Sequence, residues 1–256
     1  MKKAVGFIAL FILFAGLSSM SSYAQEEAPA RFIVFEDFVS PSDMPAYWEA
    51  QTEACELWAK HKLDIPVYAY LNDENVFYWV IPIKNFASID DLYAKFMGLH
   101  QAMIDEDDFN ADEAFADLYT GRQSVIQWDK ELSYHAAKTG EEQPDKPFAE
   151  WMFCQVRAGH EQDFDAAIKA YVDYYKNIGS DYEWDVYKTL LGPDTPTYII
   201  MVRAEDEVAM RTIEKELNDK YKDDFEELWQ QFSKQLRSYE TKKGWFLPKL
   251  SNMPAD

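Results

Sequence analysis

From Arg31 onward, apolar positions along the chain follow two rhythms. "RFIVFEDFVS" is a nearly unbroken apolar run of strand length, and in "MPAYWEAQTEACELWAKH" Tyr47, Ala50, Ala54, Leu57 and Trp58 step by three and four, the spacing of one helix face. "IPVYAYLNDENVFYWVIPI" then gives two apolar runs around an Asn/Asp turn, the signature of a hairpin. The order returns 117 positions later: Tyr47, Ala50, Ala54, Leu57 and Trp58 fall on Phe164, Ala167, Tyr171, Tyr174 and Tyr175. In the second hairpin, "YEWDVYKTLLGPDTPTYIIMVRAEDE", the loop is four residues longer, so the offset becomes 121 and Phe77 meets Tyr198, Val80 Met201, Leu92 Ile213 and Phe96 Leu217. An insertion in a turn costs little. Farther on, "DDF" at 107–109 meets "DDF" at 223–225, Phe115 meets Phe232 and Trp128 meets Trp245. The chain is an internal duplication.

Each half therefore predicts a strand (31–39; 148–157), a helix (43–62; 161–178), a hairpin (66–83; 182–203), helices (88–119; 206–238) and a last strand near Trp128 or Trp245. This is a βαββαβ unit. The polar, two-proline stretch "AAKTGEEQPDKP", 136–147, separates a first repeat at 25–135 from a second at 148–256. "VFYWVIPI" and "YIIMV" are apolar on both faces, so both faces of each sheet are covered. Laying the two sheets together achieves this in one chain: the expected fold is α+β, two ferredoxin-like repeats closed into a pseudo-dimeric α/β barrel.

"FCQVRAGHEQDFDAAIKAYVDYY" with the later "YIIMVRAEDEVAM" resembles the ferredoxin-like dimeric α/β-barrel superfamily of antibiotic-biosynthesis monooxygenase-like, stress-responsive barrel, NIPSNAP and EthD-type proteins. The first copy departs from the pattern with "SPSD" where the second has "RAGH". The resemblance implies a cleft between sheet and helices that holds an aromatic or polycyclic molecule, haem, or nothing. Fold alone does not choose among these.

Lys2 and Lys3, the run "AVGFIALFILFAGL" and the small residues Ser22 and Ala24 form a signal-peptide pattern over residues 1–24, which predicts an exported protein, periplasmic or secreted. Without those residues the chain keeps all 46 acids and loses two lysines, for a net charge of −23. Such a field repels nucleic-acid phosphates and anionic membranes after leader cleavage, and keeps an exported protein in solution. The two cysteines, Cys55 and Cys154, fall in different layers of different halves and are expected as free, buried thiols.

Candidate chemistry begins with Glu36 and Asp37, two acids in an apolar strand, whose side chains must point to opposite faces. A carboxyl desolvated there has a raised pKa and is a candidate general base toward a phenol or an activated carbon acid. The bland alternative is an acid at the barrel edge that pairs with an arginine, and the second copy has Phe153 and Cys154 instead. The sheet aromatics Tyr68, Tyr70, Phe77, Trp79, Trp151, Trp184, Tyr187 and Tyr198 serve either as core or as pocket walls. Tyr68, Tyr70, Trp79, Trp184 and Tyr187, with His100, are the candidate ligand contacts. His100 is also the candidate axial ligand if haem is bound. His61, His135 and His160 suit ordinary packing, no group has zinc-like spacing, and the acidic stretches "DEDDFNADEAFAD" and "DKYKDDFEEL" suit solvated helix faces.

The leading expectation is a cofactor-free barrel that binds a small apolar or aromatic molecule, as a monomeric pseudo-dimer or a homo-oligomer. The alternatives are a cofactor-independent monooxygenase or haem-dependent enzyme of the same barrel type, and a non-catalytic interaction protein. The strand acids and His100 place a single site in the first half.

Overall fold

The computed structural model describes residues 30–135 and 146–254. The leader at 1–24 and most of the linker at 136–147 lie outside the described residues. The first half runs β1 (Arg31–Val39), α1 (Met44–Lys60), β2 (Tyr68–Asn72), β3 (Val76–Ile83), α2 (Ser88–Asp107), α3 (Ala111–Ala114) and β4 (Tyr119–Trp128). The second runs β5 (Phe148–Val156), α4 (Glu161–Ile178), β6 (Asp185–Leu191), β7 (Thr197–Ala204), α5 (Glu207–Ser233) and β8 (Leu236–Phe246).

The eight strands close into a barrel in the order β1-β3-β2-β8-β5-β7-β6-β4, all described pairings being antiparallel. Each half contributes one four-stranded sheet, and the halves join through β2 with β8 and β4 with β6. The expected pseudo-dimeric α/β barrel is thus the observed fold.

Strand alternation sorts the side chains into two cores. Along β1, Phe32, Val34 and Phe38 point into the barrel, where they join Tyr70, Tyr78, Ile126, Phe153 and Tyr187. Ile33 and Phe35 point outward beneath α1 and α2 with Phe77, Trp79 and Ile81 of β3. In the second half Cys154, Trp184, Val186 and Tyr198 lie beneath α4 and α5. The α1 face is Tyr47, Ala50, Gln51 and Ala54, and the α4 face is Phe164, Ala167, Ile168, Val172 and Tyr175.

Termini explain where the helices stop. Gly179 closes α4 in the left-handed region (φ 63°), as a Cβ-free residue does without strain. Asp108 takes the same region (φ 56°) after α2, so the helical segment expected over 88–119 breaks there and resumes only as the short α3. The segment expected over 206–238 ends at Ser233, and its last residues already belong to β8. Within it, Tyr221 is non-helical (φ −128°, ψ 28°) and kinks α5.

One repeat equivalence shifts by a residue. Arg31 faces Gln127 in the first half, and its counterpart Phe148 faces Trp245 in the second. Trp128 therefore corresponds to Phe246, not Trp245. Facing agrees: Trp128 lies in the barrel core, Phe246 packs on Tyr70 inside it, and Trp245 remains half-exposed outside. Among the described residues, no helix is long and apolar enough to cross a membrane.

Candidate functional site

Glu36 and Asp37 do point to opposite faces. Glu36 turns into the barrel, is only 5% exposed, and accepts a hydrogen bond from Arg122 Nη2 of β4 at 2.6 Å. Asp37 turns outward beneath α1. Its Oδ2 accepts from Tyr47 Oη at 2.6 Å and from Trp79 Nε1 at 2.9 Å, while burial raises its pKa against those two bonds. Both acids are held by side chains of their own half, in two separate environments.

The six candidate ligand contacts do not converge. Tyr70 and Tyr187 lie in the barrel core, beside the buried Asp185–Arg203 pair at 2.8 Å. Tyr68 opens β2, two positions before Tyr70. Trp79 is on the outer face of the first sheet, edge-on to Trp58 and bonded to Asp37. His100 sits on α2, its Nε2 accepting the Ala111 N–H at 3.1 Å. Trp184 lies on the outer face of the second sheet, with Nε1 donating to the Leu132 carbonyl at 2.9 Å. Cys55 and Cys154 are free, in different halves, and burial pushes each thiol up to about 12.

Of the six, Trp184 lines a cleft in the second half. The cleft opens between the second sheet and helices α4 and α5, with an inner cavity of about 220 Å³. Met152 of β5, with Ile200 and Val202 of β7, forms its floor, and Trp229 and Phe232 of α5 form one wall. Tyr171 and Tyr175 of α4, with Tyr182 before β6, form the other and continue into an outer chamber of about 440 Å³. The outer chamber is polar at its rim, where Glu214, Asn218, Lys222 and Glu226 of α5 flank the kink at Tyr221.

The first half has a different filling at the same place. Phe35 pairs with Trp79 in the β1–β3 ladder as Met152 pairs with Ile200 in the β5–β7 ladder, so Trp79 and Ile200 are counterparts. Trp79 occupies the space beneath α1 and packs on Trp58. Ile200 leaves that volume open, and large residues stand on the helix instead, with Tyr171 where α1 has Ala54. The open cleft therefore lies in the second half, whereas the residues singled out as a single site, the strand acids and His100, lie in the first. The overlooked signal was this exchange of large and small residues between equivalent positions, which resembles ordinary core spacing when each helix is read alone.

Polar groups on the cleft are few. Tyr182 Oη donates to Glu214 Oε1 at 2.9 Å, and Glu214 Oε2 accepts from Arg211 Nη1 at 2.7 Å. Burial, reinforced by Glu214, raises the Tyr182 pKa. Burial also raises Tyr171 and Tyr175, whose hydroxyls have no hydrogen-bond partner among the described residues. No histidine lines either chamber, and His100 is spent on Ala111 in the other half, so His100 does not serve this cleft as an axial ligand.

No family model matches the sequence, nor does any curated protein at a significant level. Solved structures do match along most of the chain. An anthrone oxidase-like protein is similar at a TM-score of 0.59 and 10% identity, over 87% of this chain and 92% of its own. A monooxygenase-like protein from Fusobacterium nucleatum is similar at 0.51 and 13%, over 86% and 93%. An arginine-to-alanine mutant of chlorite dismutase from Candidatus Nitrospira defluvii is similar at 0.50 and 12%, over 87% and 93%. At these identities the likeness concerns the fold alone, a closed eight-stranded antiparallel barrel built from two copies of a four-stranded α+β unit in one chain.

Proposed function

We propose that this chain is an exported small-molecule-binding barrel whose ligand, flat and largely apolar, enters the cleft of the second half and is held there without haem. The observation that carries the reading is the aromatic cavity beneath α4 and α5, open where the first half is filled by Trp79. Concave, mostly apolar sites with few polar groups are the usual form of small-molecule sites. An apolar cavity of roughly 150 Å³ accepts benzene, so the inner chamber suits a bicyclic ring system. Export rests on the leader pattern at residues 1–24.

The test is calorimetric titration of the folded protein with naphthalene, alongside native mass spectrometry of protein purified from its own compartment. One molecule bound per chain is expected. Failure of naphthalene to bind, together with no copurifying mass, would sink the reading.

A second reading is turnover of the bound aromatic without a cofactor, as in the monooxygenase-type alternative. It is favoured by Tyr182, which sits on the cleft with its proton directed to Glu214, and not by Glu36 or Asp37. Oxygen consumption on adding a bicyclic phenol, lost in Glu214→Gln, supports it. No consumption in the native protein removes it.

A further inference from the structure

Four tyrosine hydroxyls around the second half are paired. Tyr134 donates to the Ser180 carbonyl at 2.8 Å, Tyr174 to Asp224 at 2.6 Å, Tyr182 to Glu214 at 2.9 Å and Tyr198 to Asp165 at 2.7 Å. Tyr171 and Tyr175, like Tyr221 and the exposed Tyr239, have no such partner among the described residues, and of these four Tyr171 and Tyr175 stand on the wall shared by the two chambers. Tyr175 is only 8% exposed. A hydroxyl removed from water without an acceptor, as that of Tyr175 is, loses solvation and gains nothing in return; Tyr171, half-buried, stands one helical turn before it on the same wall.

Their surroundings restrict what can satisfy them. Tyr175 is enclosed by rings, Trp184 at 5.0 Å and Phe225 at 5.6 Å, and Tyr171 stands edge-on to Phe232 at 5.9 Å. Of the two carboxylates on the outer chamber, Glu214 is already shared between Tyr182 and Arg211, and Glu226 makes no hydrogen bond to either phenol. Both phenols remain protonated under ordinary conditions, because burial makes the phenolate costly. A protonated phenol is foremost a hydrogen-bond donor, so the complementary feature is an acceptor that arrives with the ligand.

We infer that the cleft selects a planar bicyclic ligand carrying a ring carbonyl, with the carbonyl oxygen accepting hydrogen bonds from Tyr171 and Tyr175. The inference rests on the proposed binding function and adds the polar half of the recognition. The rings supply contact area and the two phenols supply orientation. A site built to bond a polar group discriminates against an analogue that lacks it, because its own buried groups are then left unpaired.

The experiment uses the full folded chain with two probes, chromone (a planar bicycle with a ring carbonyl) and naphthalene (the same shape class with no polar atom). Tyr171→Phe and Tyr175→Phe keep the rings and remove only the hydroxyls. Each substitution is expected to weaken chromone about fivefold to tenfold, the range of one net hydrogen bond, with naphthalene unchanged or tighter. Near-UV circular dichroism confirms that the variants keep native packing. Chromone affinity unaffected by both substitutions overturns the inference, as does a parallel loss for both probes. Naphthalene binding to a chain that does not bind chromone also overturns the inference and leaves the cleft a binding site of another specificity. No binding of either probe to the native chain overturns both the inference and the function beneath it.

Discussion

At the scale of single residues, burial decides chemistry before motif does. Asp37 is a carboxyl held beneath a helix by one phenol and one indole, and its pKa lies above the ordinary 3.8 because desolvation outweighs both bonds. The sign follows from linkage: a carboxyl raised in the folded state binds its proton more tightly there than in the unfolded chain. Its contribution is thus fully present below about 3.8 and is lost as pH rises through the raised value. Asp37→Asn keeps an acceptor oxygen and removes the titration. The stability of the native protein minus that of the variant should fall as pH rises from ~3.5 to ~7 in urea unfolding series, where a flat difference would contradict the assignment. The sequence showed that Glu36 and Asp37 face opposite ways, because alternation is local. It could not show their partners, since Arg122 reaches Glu36 from β4 and Trp79 reaches Asp37 from β3.

At the scale of elements, the duplication made strand and helix order legible, because a repeat tests each assignment twice. Its blind spots were register and filling. The offset between β4 and β8 moved by one residue, which exchanges inside for outside, and the contest between Trp79 and Ile200 needs both sheets in view. Ile200→Trp should give the second half the plug that the first half has. The added indole is expected to abolish naphthalene binding in calorimetry and to raise stability by about 0.5–2 kcal/mol, as cavity filling commonly does. Retained binding would place the ligand elsewhere. The β2–β8 seam offers a second test. Gly244 lies opposite Asn72, and a Cβ there would stand 2.7 Å from the Asn72 Cα and closer still to the Leu71 carbonyl oxygen. Gly244→Ala should therefore strain the seam and cost about 1–3 kcal/mol, read from the denaturant midpoint at constant m-value. An unchanged midpoint would mean that the two strands can separate without loss.

At the scale of the whole molecule, neither sheet is complete without the other. The inner face of the first sheet presents Phe32, Val34, Tyr70, Tyr78 and Ile126, and the second covers it with Trp151, Phe153, Tyr187 and Ile199. Polar contacts cross the same boundary: Trp128 Nε1 of the first half donates to Asp185 Oδ1 of the second at 2.9 Å, and that carboxylate also holds Arg203. Asp185 is buried enough that desolvation raises its pKa despite these donors, so the network favours closure only while all its members are in place. A first repeat expressed alone, residues 25–135, would expose this aromatic face together with the unpaired edges of β2 and β4. Such edges and faces drive association. The isolated repeat is expected to sediment as a dimer or larger species, because a second copy is the nearest available substitute for the missing sheet. The full chain supplies that sheet in the same molecule at an effective concentration of order millimolar or above. Analytical ultracentrifugation decides the matter: a folded monomeric repeat with a cooperative urea transition would show that each half carries a sufficient core, and that barrel closure is not what holds this fold together.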